Sequence, residues 1–129
     1  MSLLQCLDTA TLPAPRPRGH DARRVCRLLQ ETTAAAFGVP VGELRARSRR
    51  SAEVAFARQS AMYLAHVALG LTYDAVGAQF RRDRTTAAHA CRRVEDRRDD
   101  PALDRALQTL EEVCGELKHA VAAQPRVRP

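Results

Sequence analysis

The sequence predicts an all-α fold, and three observations carry the prediction. Apolar residues recur at helical spacing over several stretches. Asp, Thr, Gly and Pro stand at the ends of those stretches, where helices start and stop. The last stretch carries a heptad seam, Leu103, Leu107, Leu110, Cys114, Leu117 and Val121, with steps of 4, 3, 4, 3 and 4 residues. A chain of 129 residues is long enough for one domain with a modest core.

In chain order, residues 1–20 end in PAPRPRG and read as a flexible lead-in rich in proline and arginine. A first helix is expected over 22–37, capped by Asp21 and ended by Gly38, with Val25, Leu28, Leu29, Thr32 and Ala36 on one stripe. Val39-Pro40 forces an extended step, and a short helix over 41–46 carries Leu44 inward. RARSRRS at 45–51 is a basic loop. A long helix over 52–69, closed by Gly70, buries Val54, Ala57, Ala61, Leu64, Ala65 and Ala68, with Arg58 and Gln59 off that stripe. His66 reads as solvated.

Thr72 caps a short helix over 73–80 whose Val76 and Phe80 face the core. A tight turn at Arg81-Arg82-Asp83 leads into a helix over 84–98. Ala87, Cys91 and Val94 face inward there, and Thr85, Thr86, His89, Arg92 and Arg93 face outward. Pro101 marks a break before the last helix, at 102–123, and residues 124–129 read as a disordered tail. The organisation expected is a domain over 21–100 plus an added C-terminal helix over 101–123. The seam fits packing on its own domain first, with a homodimer through 103–121 as the second reading.

Composition narrows the function. The formal net charge is +6 and the pI near 9.9, which favours a polyanionic partner. Arginine supplies nearly all of it, and its planar fork suits phosphate and guanine. The basic excess lies between Glu43 and Glu95, whereas Asp99 to Ala123 turns acidic. Cys6, Cys26, Cys91 and Cys114 form no CxxC pair and no Cys/His cluster, so reduced thiols and no metal are expected. No paired carboxylates or nucleophile–base motif suggests an enzyme. No GxxxxGK[ST] loop is present, so no nucleotide or other cofactor is expected. The start lacks the pattern of a secretory signal, and no apolar run could span a bilayer, which points to a cytoplasmic, nucleoid-associated protein. With no Trp and 4% aromatics, single-strand binding by base stacking is disfavoured.

A short helix, a tight turn and a second helix with an exposed Thr/Arg/His face form the helix-turn-helix pattern. Arg82-Asp83-Arg84-Thr85-Thr86 starts its second helix. Arginine can grip guanine, aspartate can accept from cytosine, and threonine can touch a thymine methyl. Plainer roles stay open: Asp83 as a helix cap, His89 as a solvent-facing residue, and Arg92, Arg93, Arg97 and Arg98 as a charged face paired with Glu95, Asp96 and Asp99.

The order of short motifs is more specific than the pattern. Arg58-Gln59, Met62-Tyr63-Leu64-Ala65, Val76-Gly77, Phe80, Arg82-Asp83-x-Thr85-Thr86 and His89-Ala90-Cys91-Arg92 recur in sequence. Over roughly residues 21–100 the chain resembles the C-terminal DNA-binding domain of the bacterial replication initiator DnaA. The resemblance implies base-reading positions at Asp83, Arg84 and Thr85, with Arg50 on a minor-groove position. It implies phosphate contacts at Arg58, Arg82, Thr86 and His89; the neighbouring cations Arg49, Arg81 and Arg92 are expected on the backbone too. The family has two glycines before the Arg-Asp pair where this chain has Arg81 alone, so the turn is one residue shorter. Arg84 stands where the family has histidine, Asp74 where proline is frequent, and Ala52 where a second loop arginine falls.

The function expected is sequence-specific binding of double-stranded DNA by a non-catalytic regulator of transcription or replication initiation. The alternative is a protein-interaction module that keeps the fold without DNA recognition.

Overall fold

The computed structural model describes residues 17, 19–46 and 51–123, and those residues form six helices with no strand among them. They are α1 (Gly19–Phe37), α2 (Val41–Arg45), α3 (Ala52–Val67), α4 (Tyr73–Phe80), α5 (Arg84–Asp96) and α6 (Pro101–Ala123). Arg49 and Arg50, most of the lead-in and the tail at 124–129 lie outside the described residues.

The local chemistry sets most boundaries. Ser51 accepts from the Val54 amide at 3.2 Å and opens α3, and Thr72 accepts from the Ala75 amide at 3.1 Å and opens α4. α1 ends at Gly38, whose φ of +69° is the left-handed conformation that stops a helix. α1 begins at Gly19, not at 22, so Asp21 sits in its first turn rather than at its cap. There it favours the helix through the macrodipole. Pro101 is not a break but the first residue of α6, where its missing N–H costs nothing.

α3 is the central helix and packs on each of the other five. The stripe of α1 is rotated from the expected one. Ala22, Val25, Cys26, Leu29 and Thr33 are buried, whereas Leu28 is 39% exposed. Two neighbours, α3 and α6, flank α1 and select the face centred on Val25 and Leu29.

α6 lies against α1 and α3. Leu107, Leu110, Cys114 and Val121 are buried there, with Leu103 and Leu117 packed on the same cluster. The seam therefore packs on the chain's own core, the first of the two roles expected for it.

Arg98 fixes the approach of α6. Its guanidinium donates to Asp104 Oδ1 at 2.6 Å, Glu111 Oε2 at 3.1 Å and the Tyr63 hydroxyl at 3.0 Å. α5 stops at Asp96, two residues before the expected end, and the turn at 97–100 lets Arg98 reach both acids. It is thus no part of a solvated charged face.

Burial pushes the Cys26 and Cys114 thiols up to about 12 and Cys91 up to about 11. These groups stay protonated at neutral pH and act as small core hydrophobes. His66 is also less solvated than expected. Its Nδ1 hydrogen-bonds the Leu71 carbonyl at 2.8 Å and its ring stacks on Tyr73.

Candidate nucleic-acid interface

The helix pair α4–α5 carries the candidate site, and the turn between its members is tightly constrained backbone. Arg81 closes α4 in the left-handed conformation, φ 56° and ψ 44°. It is the one non-glycine with positive φ among the described residues. Its amide and that of Arg82 both donate to the Gly77 carbonyl, Arg82 at 2.8 Å. A single arginine thus makes the reversal expected of glycine, at a cost of about 1 kcal/mol for its Cβ. Arg81→Gly is expected to stabilise the fold by about 0.5 kcal/mol in urea melts, the relief being partly offset by glycine's freer unfolded chain.

Gly77 supplies the other half of the turn. A Cβ placed on it would lie 2.5 Å from the Arg82 carbonyl oxygen and 3.3 Å from the Asp83 carbonyl carbon. No bulkier residue lets the chain fold back this closely over α4. The sequence contains Gly77 but not the strands of backbone that pass over it.

Asp83 opens α5. Its φ of −80° and ψ of 169° are extended, and its Oδ1 accepts from the Thr86 amide at 2.7 Å. The Thr86 backbone and hydroxyl hydrogen bonds hold its carboxyl below the ordinary carboxylate range. A depressed folded value means that the cap contributes fully above the ordinary carboxylate value. The contribution is lost as pH falls through the depressed one. Asp83→Ala is expected to speed exchange of the Thr86 amide, and Asp83→Ser to retain its protection. Equal exchange in both variants would refute the cap.

Beyond that cap, α5 divides cleanly. Ala87, Ala90, Cys91 and Val94 are buried against α3 and α4, and the small alanines allow close approach. Arg84, Thr85, Thr86, His89, Arg92 and Arg93 are exposed on the opposite side. Arg81 is exposed beside them. The start of α5, capped by Asp83, therefore presents two exposed arginines and two hydroxyls together.

Two expected contacts sit differently. Arg58 does not lie off the apolar stripe: it is 6% exposed. Its Nε donates to the Leu44 carbonyl at 2.9 Å and its Nη2 to the Glu43 carbonyl at 3.0 Å. Those carbonyls end the short helix α2, where the Ala46 amide also reaches the Glu43 carbonyl at 3.2 Å, and Arg58 joins α2 to α3 through them. Its placement corrects the expectation that Arg58 faces outward, off the stripe. Arg82 is half-buried and donates through Nη2 to the Ala46 carbonyl at 3.1 Å. It ties the helix-turn-helix turn to the residue from which the basic segment 47–50 departs.

The sequence reading did not single out the flank of α5. A groove of about 430 Å³ runs between α5 and the start of α3, lined by Ser51, Phe56, Gln59, Arg93 and Arg97. The Arg97 guanidinium lies 4.2 Å over the Phe56 ring. The i, i+4 spacing of Arg93 and Arg97 was the only trace of it. Among the described residues there is no cluster of His, Cys, Asp and Glu that could hold a metal, and no helix long and apolar enough to cross a membrane.

Comparison with known proteins agrees with this geometry. Residues 26–94 match the family model described as the bacterial dnaA protein helix-turn-helix. The chain is 37% identical over 98 residues to the chromosomal replication initiator protein DnaA of Caulobacter vibrioides (strain NA1000 / CB15N), covering 74% of this chain and 20% of that protein. It is 32% identical over 112 residues to the DnaA of Caulobacter sp. (strain K31), covering 85% and 23%. It is 31% identical over 85 residues to that of Thermoanaerobacter sp. (strain X514), covering 65% and 19%. The chain spans about a fifth of the length of these curated relatives. The family match takes in α3 and α4 whole and all but the last two residues of α5, and covers more than half of the chain, which belongs to the bacterial DnaA helix-turn-helix family.

Proposed function

We propose that this chain binds double-stranded DNA sequence-specifically, with α5 in the major groove, and acts without catalysis on the nucleoid as a regulator of transcription or replication initiation. The observation that carries the reading is the exposed face of α5, Arg84, Thr85, Thr86, His89 and Arg92, set behind the Asp83 cap in a helix-turn-helix. Base reading falls to Arg84 and Thr85, with Asp83 placing them and able to accept from a cytosine amine. Thr86, His89, Arg92 and Arg81 meet phosphates and set the register. Arg49 and Arg50 belong to the same interface through the family resemblance. Replication enters the proposal because the relatives are named chromosomal replication initiators.

Selection of bound sequences from a random duplex pool tests the reading. One enriched motif is expected. On that motif Arg84→Ala is expected to lose about 1–3 kcal/mol, with a much smaller loss on scrambled duplex. Arg92→Ala is expected to weaken both about equally. Equal losses for Arg84→Ala on the two duplexes would remove base reading, and absence of any enriched motif would remove specificity.

A further inference from the structure

The basic surface continues past the turn, away from the exposed face of α5. A cleft of about 490 Å³ opens between α1, α2 and the end of α4. Leu44 and Phe80 form part of its wall, and Arg23, Arg27, Arg45 and Arg81 line it. Arg23 and Arg27 are one helical turn apart on α1, on one side, and both are exposed.

The acids of α1 are paired with other arginines, one of them Arg45 on the cleft wall. Asp21 lies 4.0 Å from Arg24, and Glu31 lies 3.5 Å from Arg45. Arg45 is further held by Gln30 Oε1 at 2.7 Å. Arg23, Arg27 and Arg81 have no carboxylate of a described residue within ion-pairing distance. Three exposed guanidinium groups around one cleft repel one another and favour an anion between them.

The cleft also stands in the right place. Arg81 belongs to it and to the turn before α5. Arg82 binds that turn to Ala46, where the basic segment 47–50 begins. Arg81 thus makes the cleft wall continuous with the start of α5.

We propose that the cleft is a second DNA-backbone site: Arg23 and Arg27, with Arg81, hold phosphates of duplex DNA next to the segment that α5 meets. α1 then extends the footprint beyond the helix-turn-helix and adds affinity without sequence preference. The inference rests on the DNA-binding reading above.

The test is a salt titration of binding to a 24-bp duplex (about two helical turns) by the full chain. Arg23→Ala/Arg27→Ala is expected to flatten the log–log salt slope by about 1.8, at roughly 0.9 for each phosphate lost. The milder Arg27→Gln is expected to flatten it by about half as much, with an unchanged melting midpoint. Arg105→Ala, exposed on α6, serves as the control for bulk charge and is expected to leave the slope unchanged. A wild-type slope retained in both cleft variants overturns the second site and leaves the DNA-binding reading intact. So does a loss in Arg105→Ala equal to that in Arg27→Gln. Absence of salt-dependent binding by the wild-type chain overturns both readings.

Discussion

Leu107→Ala is expected to lower unfolding stability by about 2–5 kcal/mol, a large part of the roughly 5–15 kcal/mol available to a domain. Leu107 is fully buried where α6 meets the rest of the core. Truncation removes its transfer free energy and leaves a cavity that flanking helices cannot close, because Cys114 and Leu110 on the same face are already packed. Leu28→Ala removes the same atoms from α1 at an exposed position and is expected to change stability by less than about 0.5 kcal/mol. Urea melts at two protein concentrations check both. A midpoint for the wild type that rises with concentration would show the seam buried between chains rather than within one. Equal losses at Leu28 and Leu107 would contradict the packing of α1 and α6 described above.

Gly77→Ala is expected to cost about 3 kcal/mol, the upper part of the range for overpacking, and to weaken DNA binding with it. The added Cβ meets backbone rather than a movable side chain, since its nearest neighbour is the Arg82 carbonyl at 2.5 Å. Relief requires the turn to lift off α4, which displaces the Asp83 cap and the start of α5. Gly115→Ala is the matched control. Gly115 also lies inside a helix, but a Cβ there meets nothing within 4 Å. It is expected to gain about 0.5–1 kcal/mol, the ordinary helix preference for alanine over glycine. Thermal melts and gel shifts of the two variants decide the matter. A gain at both positions would show that the turn is looser than the structure has it.

The glycine pair shows where sequence reading stops. Both glycines are helical, and propensity treats them alike. What separates them is the backbone of Arg82 and Asp83 passing over one and open space beside the other. Arg58 and Arg98 teach the same lesson for charges. In the sequence they belong with the solvated arginines. In the fold, Arg58 meets the carbonyls of α2, and Arg98 joins Asp104, six residues on, to Glu111 and to Tyr63, 35 residues back. Burying such a group is tolerable only when every donor finds a partner, and those partners come from other helices.

Local chemistry alone determined much. The caps at Ser51, Thr72 and Asp83, and with them the starts of α3, α4 and α5, follow from side-chain hydrogen bonds within three residues. The outward face of α5 was equally legible, because apolar Ala87, Cys91 and Val94 leave Thr85, Thr86, His89 and Arg92 on the other side. Only the tertiary structure decided which face of α1 is inward, that the α6 seam is covered within the chain, that Arg81 can make a glycine-like turn, and that Arg23 and Arg27 share a cleft with it. Helical spacing fixes which residues share a face, but the identity of the helix opposite is set by packing between segments far apart in the chain.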